Sequence, residues 1–192
     1  MRDLTLIVQT SLDGFVAGSN GEFDNFLGGE ENLEFVCSLT DDADAALFGR
    51  VSYQLLNSGW PTAASKPGAT KNEIKYSEWY NAVLKFVLSK TLAVENSENT
   101  RVISKNVETE INYIKQQPGK TILMFGSPAA ARSLFELSLV DSFWIIIHPV
   151  IFGEGIPFFR GRKNIIKLGL LASKQLSNGT LCHKYSVNNH VE

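Results

Sequence analysis

The stretch Thr121–Leu137, TILMFGSPAAARSLFEL, decides the fold. Thr121 to Phe125 is β-branched, aliphatic and aromatic, the composition of a buried strand. Gly126 and Ser127 interrupt it, and a helix begins at once. Ser127 stands where a helix cap is wanted, Pro128 takes the first helical position, and Leu134 and Leu137 face inward. A strand that turns through two small residues into a helix is the repeating unit of an α/β sheet.

The same alternation extends in both directions. Upstream, Leu4 to Gln9 reads as a buried strand, and Glu30 to Leu39 carries a helical stripe of Leu33, Val36, Cys37 and Leu39. Asp44 to Phe48 reads as a strand, followed by Gly49-Arg50 and a helix over Val51 to Leu56. Gly59 to Lys75 holds Pro61, Pro67 and Gly68 and reads as a surface loop. Lys85 to Ser89 and Arg101 to Ser104 are strands. Asn106 caps a helix over Val107 to Gln117, with Glu108 and Glu110 in its first turn and Pro118-Gly119 at its end. Downstream, Ser142 to Ile151 reads as one long buried strand, and Ile165 to Val187 as two strands around Ser177-Asn178-Gly179, a strong hairpin signal. The expected class is α/β, a mostly parallel central sheet with antiparallel C-terminal strands. Residues 1–188 form one domain and 189–192 a tail.

Bulk properties narrow the function. The chain has 192 residues, 44% hydrophobic and 20% charged, with a net charge of −2. That balance offers no basic face for nucleic acid, although a local phosphate pocket needs only two or three cations. Cys37 and Cys182 are the only cysteines and lie far apart, so neither a disulfide framework nor a zinc site is implied, and no metal is expected. The N-terminus enters strand-like sequence without a signal-peptide pattern, and no apolar run reaches the ~18 residues of a membrane span. The chain reads as a soluble cytoplasmic domain.

In an open α/β sheet, ligands bind beyond the carboxyl ends of the strands. Three such ends carry groups suited to phosphate. Gly126-Ser127 lets a ligand approach the backbone, and the free N–H groups at the following helix start, Ala129 among them, suit a pyrophosphate. The same residues also start a helix well with no ligand at all. Gly49-Arg50 repeats the arrangement with Ser52 in the first helical turn, and arginine can grip a phosphate bidentately. Ser89-Lys90 follows a third strand. One diphosphate and one further phosphate would occupy the three, which suits NADPH better than NADH, because a 2′-phosphate needs its own cations. No GxGxxG or GxxxxGK[ST] sequence is present. Asp13, before Gly14 at the end of the first strand, is the candidate carboxylate, although Asp-Gly is also turn chemistry. His148 lies within an apolar strand and reads as structural.

In family order, TSLDGFVAG, ALFGRVSYQ, FVLSKTL, ILMFGSPAAARSLFELSLVDSFWIIIHPVIFGEGIPFF and LSNGTLCHKYSV resemble the dihydrofolate reductase-like superfamily along nearly the whole chain. The branch is that typified by the reductase domain of bacterial riboflavin biosynthesis, here without a preceding deaminase domain. LVDSFWIIIHPVIFGEG carries the most specific spacing. The resemblance implies a three-layer αβα sandwich binding NADPH across its strand ends. Gln9, Val16 and Ala17 would lie near the nicotinamide. Gly49, Arg50 and Ser52 would hold phosphates, Ser89 and Lys90 the adenosine 2′-phosphate, and Gly126, Ser127 and Ala129 the pyrophosphate. Phe152, Gly153, Glu154 and Gly155 would fall on the substrate side. Asp13 or Glu154 would orient a proton-donating water.

Dihydrofolate reductases place an acid in the first helix to bind the pterin; the nearest position here is Asn32, with Glu31 and Glu34 adjacent, which makes Asn32 a substrate-binding candidate and weakens the case for a folate. Relatives read Asp-Glu where this chain has Asp141-Ser142, which implies a lost polar contact. Arg160, Arg162 and Lys163 are candidates for a phosphorylated substrate, in what also reads as an exposed loop. The expected activity is NADPH-dependent hydride transfer to the C=N or C=O bond of a small pyrimidine- or pterin-like heterocycle, by a homodimer. The alternatives are a non-catalytic NADPH-binding protein of the same fold and a structural domain without cofactor.

Overall fold

Ten strands, five α-helices and one 3₁₀ helix alternate along the chain in a computed structural model that describes residues 1–93, 99–160 and 165–187. The strands are β1 (Leu4–Thr10), β2 (Phe15–Ala17), β3 (Ala43–Gly49), β4 (Leu84–Leu88), β5 (Thr100–Ile103), β6 (Thr121–Phe125), β7 (Ser142–Ile147), β8 (Ile156–Pro157), β9 (Leu168–Gln175) and β10 (Leu181–Val187). The helices are α1 (Glu30–Thr40), α2 (Arg50–Asn57), α3 (Lys71–Ala82), α4 (Val107–Gln116) and α5 (Pro128–Glu136), with the 3₁₀ turn at Trp60–Ser65.

Eight strands form one sheet in the order β5-β4-β3-β6-β1-β7-β10-β9. The first six are parallel, and β10 runs antiparallel to both β7 and β9. β2 and β8 pair separately, antiparallel. β1 lies at the centre and is buried at every position but Gln9.

Alternation along the strands sends side chains to two cores. Leu4, Leu6 and Val8 join Ile111 and Ile114 of α4 and Leu134 and Phe135 of α5 on one face. Ile7, Leu123, Ile146 and Cys182 meet Phe35 of α1 on the other. Ala46 and Phe48 meet Tyr76 and Tyr80 of α3 on that same second side. Helices on both faces of a mostly parallel sheet make the expected three-layer α/β sandwich.

Several local expectations are corrected. The segment read as a loop from Gly59 to Lys75 holds a 3₁₀ turn and then the start of α3, which a capping box opens: Glu73 N–H donates to Thr70 Oγ1 and Thr70 N–H to Glu73 Oε2. Asn106 and Ser127 occupy the cap positions of α4 and α5, but neither side chain makes a cap hydrogen bond. The strand expected through Ile151 ends at Ile147, because His148 N–H turns to the Thr10 carbonyl and Val150 N–H to the His148 carbonyl. Ser142 keeps a polar contact: its hydroxyl lies 3.0 Å from that of Thr5 in the core. Asp141 ties the centre together, accepting from Leu4 N–H and from the buried Lys115 ammonium at 2.6 Å. The tail 189–192, Arg162 and Lys163 lie outside the described residues, and Arg160 is exposed. No described helix is long and apolar enough to cross a membrane.

Candidate active site

Six parallel strands deliver their carboxyl ends to one edge of the sheet, and the residues singled out in sequence collect there. β3 and β6 are neighbours, and their ends interlock: Gly49 N–H donates to the Gly126 carbonyl at 3.2 Å. A Cβ on Gly49 would stand 2.5 Å from Ser127 Oγ and 3.2 Å from Ala130 Cβ. A Cβ on Gly126, whose φ is +51°, would stand 2.5 Å from Ser52 Oγ. The two strand ends therefore approach as only glycines allow, and they bring the N-termini of α2 and α5 side by side. The Gly126–Ser127 peptide is cis. Unpartnered N–H groups of both first turns, and the positive ends of both helix dipoles, face one small region. Ala129 is exposed at the start of α5.

Gly49 pairs in register with Leu88, so Ser89 and Lys90 follow directly alongside Arg50. Ser89 Oγ accepts from the N–H groups of Thr91 and Leu92, which fixes the turn and leaves the hydroxyl hydrogen to donate elsewhere. Lys90 is exposed. The Arg50 guanidinium is exposed and donates along its own helix to Gln54 Oε1.

On the other side of β6 stands β1. Its end is woven into the loop after β7. Ser11 closes the turn: its N–H donates to the Phe15 carbonyl, its hydroxyl accepts from Phe15 N–H and its carbonyl from Gly14 N–H, while Leu12 N–H donates to the Val150 carbonyl. Asp13 does not stand free: its carboxylate accepts from Phe152 N–H at 3.1 Å and Gly153 N–H at 2.8 Å. The Ser11 hydroxyl first, then the N–H groups of Gly153 and Phe152, hold the Asp13 carboxyl below its ordinary range despite some desolvation. Val16 and Ala17 are buried, and Ala17 pairs with Ile156. Gly155 passes so close to the Ala17 carbonyl that a side chain there would collide with it. A cleft of about 410 Å³ opens between this loop and the segment after β2, lined by Asn20, Glu22, Asn25, Ile151, Phe152 and Glu154.

Gln9, the exposed residue of β1, is held from below. Its Oε1 lies 2.9 Å from Nε2 of His148, which is fully buried and packs 4.8 Å from the Phe26 ring. Burial, partly opposed by the nearby Leu27 carbonyl, lowers the His148 pKa, and its Nδ1 is enclosed with no hydrogen-bond partner among the described residues. Asn32 stands in the first turn of α1. Its Oδ1 accepts from Asn178 Nδ2 at 2.7 Å, at the tip of the β9–β10 hairpin. Beside it, Glu31 accepts from both the N–H and the hydroxyl of Ser177. Sequence reading missed this clasp and the Gln9–His148 pair, since nothing local marks contacts across 146 and 139 residues.

The whole set follows the strand order. The Ser89-Lys90, Gly49/Gly126 and Gln9 regions lie along β4, β3, β6 and β1. Three interstrand steps of about 4.8 Å span roughly 14 Å, the reach of an extended dinucleotide.

Comparison with known proteins identifies the family and the fold. The model of the RibD C-terminal domain family matches residues 2–182. The chain is 31% identical over 187 residues to the uncharacterized protein YyaP of Bacillus subtilis (strain 168), covering 97% of this chain and 96% of that one. In fold it is similar to a putative riboflavin biosynthesis protein from Shewanella sp. PV-4, with a TM-score of 0.71, 18% identity, and 98% and 100% of the two chains covered. It is also similar to the dihydrofolate reductase of Enterococcus faecalis complexed with NADP(H), with a TM-score of 0.62, 12% identity and 97% of each chain covered.

Proposed function

The chain belongs to the RibD C-terminal domain family, and from that premise we propose that it is an NADPH-dependent reductase of a small planar heterocycle. When bound, NADPH supplies the hydride that reduces a C=N or C=O bond, the second hydrogen arriving as a proton from water. The observation that carries this reading is the interlocked pair Gly49 and Gly126 at the paired N-termini of α2 and α5. A Cβ at either position would collide with Ser127 or Ser52, so the glycines let the two helix starts lie side by side, where their first-turn N–H groups suit a pyrophosphate.

The chain's own groups then divide the work. Gly126, Ser127, Ala129, Gly49 and Ser52 hold the pyrophosphate, with Arg50 swinging from Gln54 to assist. Ser89 and Lys90 hold the 2′-phosphate by a hydroxyl and an ammonium. Backbone groups at Val16 and Ala17 and the Gln9 side chain border the nicotinamide. Phe152, Gly153 and Gly155 line the substrate side, and Asp13 acts by fixing their loop rather than by donating a proton. Glu154 is exposed on the cleft wall and orients the proton-donating water.

Two further features belong to this reading. β9 is an edge strand that exposes Leu168, Leu170 and Leu171 at 42%, 61% and 57%. Leu171 stands at a bulge against β10, and the exposed leucines leave an apolar edge that a second copy of the chain would cover. Cys37 and Cys182 are both buried free thiols, which suits a reducing cytoplasm.

The test is Gly126→Asp. Aspartate visits positive φ more readily than most residues, Ser52 Oγ must move aside for its Cβ, and Gly126→Asn, which carries the same clash without the charge, is the control. NADPH affinity should fall by about a hundredfold or more, given charge repulsion added to lost contacts, with the far-ultraviolet circular dichroism unchanged. Unchanged affinity in a folded variant would remove the cofactor from this cradle.

A further inference from the structure

Charge is divided along the edge where the parallel strands end. Arg50 and Lys90 stand just beyond the ends of β3 and β4. The other end of the row carries the opposite sign. Residues 3–49, which run from β1 through α1 to β3, hold half of the chain's 20 acidic side chains and no Lys or Arg. Residues 133–159, which include β7 and the loop after it, hold Glu136, Asp141 and Glu154 and again no Lys or Arg.

The cleft of about 410 Å³ takes one wall from each of these stretches, within residues 18–25 and 150–154. Each wall offers a carboxylate. Glu22 is fixed in place: Asn20 N–H donates to its Oε2 at 2.8 Å, and Gly18 N–H donates to its carbonyl at 3.0 Å. Its carboxylate folds so closely over Gly18 that a Cβ there would stand 2.5 Å from Oε1. Glu154 is exposed on the other wall. The Asp13 carboxylate, gripping the N–H groups of Phe152 and Gly153, sets a third negative charge against that wall. Phe152 lines the cleft beside them, its ring 5.1 Å from that of Phe26. No Lys or Arg is among the described residues that line the cleft.

Carboxylates on two walls and an aromatic ring beside them are the groups that hold an organic cation. The carboxylates attract it and accept its N–H groups, and the negative face of the ring takes the side that water leaves. A phosphate ester would meet the same carboxylates with like charge. The volume suits a ligand of one or two rings.

We infer that this cleft takes an organic cation, a small ring that bears an ammonium or amidinium group and no phosphate. The inference rests on the reductase reading, whose substrate class it names. It also divides the edge between two ligands. The cationic end receives the anionic dinucleotide, while the anionic end repels its phosphates and draws the substrate, so each ligand is steered to its own place.

The experiment is an NMR titration with three probes that share one ring: benzamidine, a cation; benzamide, its neutral counterpart; and phenyl phosphate, an anion. Benzamidine should shift the amide signals of Glu22 and Phe152 and bind about tenfold more tightly than benzamide, the worth of two exposed charge pairs and a ring contact. Phenyl phosphate should bind most weakly. Added salt should erode the benzamidine advantage and leave benzamide unchanged. Glu22→Gln keeps an acceptor for Asn20 N–H and removes only the charge, so it should cut the preference about two- to fivefold. Adding Glu154→Gln should bring benzamidine within about twofold of benzamide, with the dispersion of the amide spectrum unchanged. Equal binding of benzamidine and benzamide by the wild type would overturn the assignment. So would a preference for phenyl phosphate, a benzamidine preference that survives the double variant, or no shift at Glu22 and Phe152 with any probe. A parallel NADPH titration separates the two readings. Failure there with the benzamidine preference intact removes the reductase, while NADPH binding without that preference removes only the charge assignment.

Discussion

Asp13 shows how a residue type can be legible and its work illegible. Asp-Gly after a strand reads as a turn or as a catalytic carboxylate. The structure gives it two backbone N–H donors 139 and 140 residues away, and no local pattern announces such partners. Its folded pKa is lowered by Ser11, Gly153 and Phe152. The clamp therefore contributes fully above the ordinary aspartate value and is lost as pH falls through the lower, folded value. Hydrogen-exchange protection at Phe152 and Gly153, taken relative to an unstructured amide at the same pH, should be high at neutral pH and fall as the solution is acidified past that point. Asp13→Asn should accelerate the same two amides at neutral pH, and unchanged protection would show that the loop holds without it. Lys90 belongs to the same scale: Lys90→Ala should weaken NADPH about three- to tenfold, the worth of one exposed charge-assisted bond, and leave NADH within about twofold. An equal loss for both would move Lys90 away from the 2′-phosphate. Gly49 and Gly126 were readable because a strand, a glycine and a helix start lie consecutively in the chain.

At the level of elements, the parallel strands and their following helices were legible because each is a continuous apolar run with a small residue behind it. α3 was not. Its buried positions are Tyr76, Ser77 and Tyr80, aromatic and polar residues that give little helical stripe, and Pro67-Gly68 just upstream reads as loop. The signal was nevertheless present as Thr70-Lys71-Asn72-Glu73, a capping box. Thr70→Ala should cost about 1 kcal/mol, a fall of about 2–4 °C in Tm. A Tm within 1 °C of wild type, in round terms about a quarter of that energy, would mean that packing alone holds the helix. The β9–β10 hairpin was legible from Asn178-Gly179, but its second task, clasping α1 through Glu31 and Asn32, was not, because hairpin chemistry says nothing about what the tip touches.

The whole molecule is a sheet whose carboxyl edge carries the proposed site and whose β9 edge is left apolar. On the dimer reading, light scattering should give twice the 21.2 kDa chain mass, and Leu171→Lys should shift the population toward one copy. A wild-type protein that stays at one chain mass at high concentration would leave that edge without its proposed cover. Order along the edge, β4 to β3 and β6 to β1, sets three separately ambiguous strand ends in one row of roughly 14 Å, and the proposed dinucleotide site rests on that row. The most direct test of that central claim is a calorimetric titration of the purified protein with NADPH and with NADH. The account predicts micromolar NADPH binding, with NADH at least about tenfold weaker, the worth of the 2′-phosphate contacts. Binding of neither nucleotide, or equal binding of both, would contradict it.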